Sequence, residues 1–223
     1  MKIGQYFLPF EPATKHISDT SEIGEDTLIQ PGAFIGNHVK IGKNCLIHAN
    51  VTINDHAIIG DNVIIRSGTV LGADAFYYKN RPTGFDRLKS VGNVIIEDNV
   101  EIGANCTIDR GVSASTIIGE GTIMDNLIQI GHDTIIGKKC LLASQVGIAG
   151  CVIVEDEVSI WGQVGITSGV TIGTKAVLLA QAGVSKSLEG GKAYFGTPAE
   201  EARSLYKKLA TTQLTVKEYK KNK

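Results

Sequence analysis

The sequence predicts an all-β chain, a solenoid of short parallel strands, and three observations predict it. An aliphatic residue recurs at every sixth position, from Ile17, Ile23 and Ile29 on to Leu71, then at Ile96, Ile102 and Ile108, then from Ile118 to Val184. Four residues after nearly every anchor stands a small or β-branched residue, as at Thr27, Val39, Cys45, Ala57, Val63, Cys106 and Val146. Gly often follows the anchor directly, as at Gly24, Gly36 and Gly131. No helix has period six, whereas a strand, a corner and a strand repeat naturally at that length. The anchor fills the interior, the small residue packs beside it, and Gly or a polar residue turns the corner. Three such hexads close one triangular turn, so the chain is read as about eight coils stacked at roughly 4.8 Å.

The elements follow in order. Residues 1–16 are a lead-in, and the repeat occupies 17–189 as one domain, because a coil buries its inner face only by stacking on its neighbours. Between Leu71 and Ile96 the phase slips. The segment from Ala75 to Ser90 is rich in aromatic and basic residues, with Pro82 and Gly84 as turn formers, and is read as a loop leaving the prism at about 75–93. Its rings, Phe76 and Tyr77 first, are placed to cover a cleft and stack on a substrate. A second slip separates Ile108 from Ile118. After Val184 the pattern ends at Gly190 and Gly191. Residues 190–223 are read as a loop and a helix, with Pro198 near the helix start and Ala202, Leu205 and Leu209 at helical spacing. Such a helix caps the last coil and hides its strand edges.

Charge and cysteine usage narrow the function classes. With 22 basic and 23 acidic residues there is no general pull towards nucleic acid or an anionic membrane. The tail from Glu200 differs, with seven Lys/Arg against three Glu. A basic tail on an acidic body favours an acidic partner at that end. No leader pattern and no membrane-length apolar stretch stand out, so the expected location is cytoplasmic. Cys45, Cys106 and Cys140 occupy the small inward position of a hexad, Cys151 lies at a corner, and their spacing matches no metal or disulfide pattern.

His132 carries the best chemistry. It stands second after anchor Ile130, on a corner expected to point outward, and one coil later the same corner position is Gly150. Winding should bring the imidazole beside a backbone amide that no side chain shields. Acyl transfer wants that pair: a base that titrates near neutrality, and an N–H to receive the developing oxyanion. His16, His38, His48 and His56 lie away from this region, and no H-x4-H pair is present to hold zinc, so no metal is expected.

From about Ile17 to Ala210 the chain resembles the UDP-3-O-(3-hydroxyacyl)glucosamine N-acyltransferases of lipid A biosynthesis. The matching runs include Ser67-Gly-Thr-Val-Leu-Gly-Ala-Asp-Ala-Phe76, Thr107-Ile-Asp-Arg-Gly111, Asp125-Asn126, Gln129-Ile-Gly-His132 and Ala143-Ser-Gln-Val-Gly-Ile-Ala-Gly150. The resemblance implies a left-handed parallel β-helix assembled as a homotrimer, with sites in the clefts between prisms. It implies His132 as general base and Gly150 as oxyanion donor, with Asp125, Asn126, Asp133, Gln145, Phe76 and Tyr77 near the substrates. Asp125 or Asp133 would orient the imidazole. The donor would be an acyl carrier protein thioester, whose own 4'-phosphopantetheine leaves the enzyme needing no cofactor. Arg203, Lys207 and Lys208 would dock that acidic carrier. Gly183 falls where a bulky residue limits acyl length in some relatives, so longer chains are expected to fit.

Two departures accompany the resemblance. The coils begin almost at once, where relatives carry an N-terminal uridine-binding domain, and Gly169 stands where many carry a further histidine. Acylation of another amino sugar, with coenzyme A as donor, is therefore the alternative enzyme reading. A catalytically silent trimeric scaffold is the alternative from another class.

Overall fold

The computed structural model describes residues 16–221, with side chains to residue 212. Most of the expected lead-in and the distal basic side chains of the tail lie outside the described residues. The chain winds as a left-handed parallel β-helix, and most strands are only two residues long. They stack into three sheets that form the walls of a prism. Sheet I runs from Glu22–Ile23 to Thr171–Ile172 and sheet III from Phe34–Ile35 to Gly183–Val184, with eight strands each. Sheet II starts at Leu28–Ile29 and has ten strands.

Register explains the hexad. Ile23 pairs with Ile41, Ile29 with Ile47 and Ile35 with Ile53, each one coil on. The anchors thus stack in ladders inside the prism, and Ile35, Ile53, Leu71, Ile108 and Ile130 are fully buried. Burying each such side chain stabilises by roughly 1.5–3 kcal/mol. The small residues beside them are more than filler. Thr69, Thr122 and Thr134 hydroxyls donate to the carbonyls of Gly103, Gly137 and Ala149 at 2.7–2.9 Å. The Cys45, Cys106 and Cys140 thiols make the same contact to Gly60, Asp125 and Glu155 at 3.1–3.2 Å. Corners need a left-handed residue, and Asn supplies it at Asn44, Asn50, Asn62, Asn99 and Asn105, with φ of 54–60°.

Both slips in the repeat are insertions that leave the ladder intact. Ile59 pairs with Ile96 across the first, and Ile96 with Ile118 across the second; the register shifts only locally, where Asp109 falls opposite Ala73. The first insertion is more ordered than the loop expected from sequence. Tyr78–Arg81 and Gly84–Arg87 pair antiparallel as a hairpin, clasped at its base by Arg87 to Asp74 at 2.7 Å and by Ala75 N–H to Ser90 Oγ at 3.1 Å. Every residue of both strands is exposed, so the hairpin lacks the apolar alternation by which a strand is recognised.

The C-terminal end also differs from expectation. Sheet II continues past residue 189, with Ala193–Phe195 pairing on Val177–Leu178. Glu200–Glu201 then folds back antiparallel on Tyr194 and Phe195, and helix α1 (Ala202–Lys221) begins four residues after Pro198. The short antiparallel strand covers the last edge, and among the described side chains α1 packs near its start, with Tyr206 against Phe195. Ala202 is buried, whereas Leu209 is exposed.

Candidate active site

The edge between sheets III and I gathers the chemistry. Strand Gln129–Ile130 ends sheet III at this level, and the corner Gly131-His132-Asp133 turns towards sheet I. Gly131 is required here, because a Cβ would come within 2.5 Å of Gly150 N. Asp133 takes the left-handed corner conformation, φ 54°, and donates its N–H to Thr116 Oγ1 at 2.9 Å.

The His132 ring does not point outward. Its side chain is only 12% exposed, because it lies back along the edge over Gly150. A Cβ built on Gly150 would meet Nε2 at 2.5 Å and Cε1 at 2.7 Å. The ring's other nitrogen, Nδ1, is 2.8 Å from Asp133 Oδ2. Tyr77 closes over the imidazole edge-on, centroids 5.5 Å apart and planes at 89°.

Each insertion supplies one part of this arrangement. The hairpin brings Tyr77. The second slip brings the segment 111–114, whose amides hold the carboxylate: Val112 N–H donates to Asp133 Oδ2 at 2.9 Å and Ala114 N–H to Oδ1 at 3.0 Å. Burial alone would raise the Asp133 pKa, but the Val112 amide, the His132 ring and the Ala114 and Ser113 amides outweigh it and hold it below the usual value. An ionised Asp133 accepts only, so Nδ1 carries a proton and the other nitrogen, Nε2, faces Gly150. Of the two carboxylates proposed to orient the ring, Asp133 is the one in contact. Asp125 instead accepts from Asn126 N at 2.7 Å and Nδ2 at 2.8 Å.

Asp109 lies one coil earlier and is buried. Burial raises its pKa, partly offset by the Gln129 side-chain amide, which donates at 3.1 Å, and by His132; Asp74 adds to the rise. The sequence reading missed Asp109 as part of this site, and it missed Cys151. Cys151 stands one coil after Asp133 at the same corner position, so the step that pairs His132 with Gly150 also signals it. Its N–H donates to His132 O at 2.8 Å, and its side chain is exposed.

The remaining expected residues are dispersed. Asp125, Asn126 and Gln145 occupy the adjoining edge, between sheets II and III. There Asn126 Oδ1 accepts from Ala104 N at 2.7 Å, and Gln145 Oε1 accepts from Gln163 Nε2 at 2.6 Å. Asp125 and Asn126 face an open groove of about 480 Å³ on sheet II, which also holds Arg66 and Trp161. Between the two edges lies the outer face of sheet III, where Gln129, Gly147, Gly165 and Gly183 follow one another in register. Nothing lies within 4 Å of a Cβ built on Gly147, Gly165 or Gly169. Gly183 is not open, since Thr197 Cγ2 would sit 2.8 Å from its Cβ. Phe76 is 85% exposed and packs on Tyr78 rather than on His132. Arg203 and Lys207 are exposed on α1, whereas Lys208 pairs with Glu200.

Known proteins match in two ways. The family described as "Bacterial transferase hexapeptide (six repeats)" matches residues 20–55 and 38–73, and "Hexapeptide repeat of succinyl-transferase" matches 93–126. Together these matches span less than half of the chain, all within the β-helix. Among individual proteins it is similar to the UDP-3-O-acylglucosamine N-acyltransferases of Sinorhizobium medicae, 58% identical over 67 residues, and Porphyromonas gingivalis, 54% identical over 67 residues. Those stretches cover 30% of this chain and 19% of each relative, so the chain matches under a fifth of their length. The crystal structure of a UDP-N-acetylglucosamine acyltransferase from Bacteroides fragilis superposes with TM-score 0.76 at 26% identity, over 84% of this chain and 71% of that one. The enzyme of that name from Campylobacter jejuni, TM-score 0.73 at 21% identity, over 83% of this chain and 71% of that one, shares the fold. Among the described residues no helix is long and apolar enough to cross a membrane.

Proposed function

We propose that the protein is an N-acyltransferase of lipid A biosynthesis, moving a 3-hydroxyacyl chain from an acyl carrier protein thioester to the 2-amino group of a UDP-glucosamine-type sugar nucleotide. One observation carries this reading: His132 is tethered through Nδ1 to Asp133 while its other nitrogen overhangs the Gly150 backbone. The names and folds of the similar acyltransferases support the substrate class.

In this mechanism the acceptor amine attacks the thioester carbonyl. Nε2 of His132 takes a proton from the amine as the new C–N bond forms, and the Gly150 N–H receives the charge building on the carbonyl oxygen. The C–S bond then breaks, and the thiol leaves with the proton from His132. Asp133 stays ionised and fixes the tautomer throughout. The glycine face of sheet III, bare beside the pair, offers the acyl chain a smooth bed. Neighbouring prisms of a homotrimer would wall this site, with Arg203 and Lys207 meeting the acidic carrier.

The reading is tested by mixing the protein with acyl carrier protein thioesters and amino-sugar nucleotides and following thiol release. His132→Ala should keep its fold and lose roughly 10²- to 10⁴-fold in turnover. Wild-type turnover in that variant removes His132 from the mechanism.

A further inference from the structure

Donor atoms of His132, Asp133 and Cys151 lie within 4.8 Å of one another. We infer that this edge is a binding site for a thiophilic divalent cation such as Zn²⁺, which shuts the enzyme off by taking the imidazole. Imidazole and thiolate are the donors such ions prefer, and three protein ligands leave a position open for water. The site is also braced. Asp133, one of the three, is pinned by the Val112 and Ala114 amides, the kind of outer support that ligating groups normally need.

Access and uniqueness point the same way. Cys151 is exposed, which gives the ion a path in, whereas Cys45, Cys106 and Cys140 are buried in the prism. Binding replaces the thiol proton with the metal: Zn²⁺ and Cys151 Sγ–H give a Zn–S bond and a released H⁺. No electron transfer is involved. That the ion binds here rests on geometry alone; that it inhibits rests on the reading of His132 as base.

Two measurements on the purified chain, freed of chelator and reductant, separate those claims. The first titrates Zn²⁺ by calorimetry and Cd²⁺ by the ultraviolet absorption of a cadmium–thiolate bond. Wild type should bind one ion per chain and show the band. Cys151→Ser should lose the band and weaken binding by more than about tenfold. A band that persists in Cys151→Ser, or equal Zn²⁺ affinity in the two proteins, overturns the site. The second follows thiol release. Zn²⁺ should slow wild type reversibly on chelation, while the rate of Cys151→Ser, taken relative to its own metal-free rate, should lose that sensitivity. Equal inhibition of both proteins overturns the inference. If neither turns over, the acyl-transfer reading fails instead, and the binding measurement still decides the site.

Discussion

The His132 imidazole rests directly over the Cα of Gly150, so that a single methyl added there would come 2.5 Å from Nε2. The glycine is buried beneath the ring, and the bare Cα leaves room for the base to lie against it.

Gly150→Ala should therefore damage the site at little cost to the fold, because the atom it strikes is a ring and not backbone. Turnover should drop by roughly 10²-fold or more, because the methyl pushes the base out of place while the backbone N–H remains. Steady-state kinetics beside a thermal melt checks this, and unchanged turnover would show that the ring has room to move.

Asp133→Asn removes the carboxylate that fixes the tautomer, and turnover should fall with little change in substrate affinity. It also has a pH signature. The folded pKa of Asp133 lies below its ordinary value of 3.8, so its stabilisation is present above that value and is lost as pH falls through the lower folded one. The stability gap between wild type and Asp133→Asn should persist at neutral pH and close in strong acid, read by urea unfolding across that range.

Asp109 predicts the opposite slope. Burial raises its pKa from 3.8, so the folded state holds the proton more tightly than the unfolded chain. Its contribution is complete below that value and is lost as pH rises through the folded pKa. Asp109→Asn should melt higher than wild type at neutral pH, with the difference shrinking in acid. A lower melting temperature at neutral pH counts against a buried, strained carboxylate.

Chain length should be controlled at Gly165 rather than at Gly183. Gly165 faces open space, whereas a side chain at 183 would strike Thr197. Gly165→Met should fold normally and shift donor preference towards shorter acyl chains. Gly183→Met should disturb the loop that carries Thr197 and lower the melting temperature. Equal rates with ten- and sixteen-carbon donors in wild type and Gly165→Met would count against an acyl path over this face.

The fold was largely legible because period six leaves few other ways to bury one aliphatic ladder, and the same arithmetic brought His132 to Gly150. The missed features belong to the insertions, where the arithmetic stops. Nothing in the segment Asp109 to Ile117 announces that Val112 and Ala114 will hold Asp133 through their backbone amides, because such contacts do not depend on side-chain identity. The hairpin's exposed strands follow no apolar pattern, so its delivery of Tyr77 to the imidazole could not be read from spacing. Cys151 was overlooked for another reason: its role depends on what Asp133 does one turn earlier.

The pairing of Leu71 with Ile108 across the hairpin has a practical corollary. The excursion is an appendix to the winding, so its tip at Pro82 and Thr83 can be lengthened, shortened or exchanged without altering how neighbouring turns align. A monotonous scaffold of this kind acquires individuality through what is hung on its outside. Grafting hairpins between such scaffolds should therefore leave the ladder of isoleucines beneath as it was.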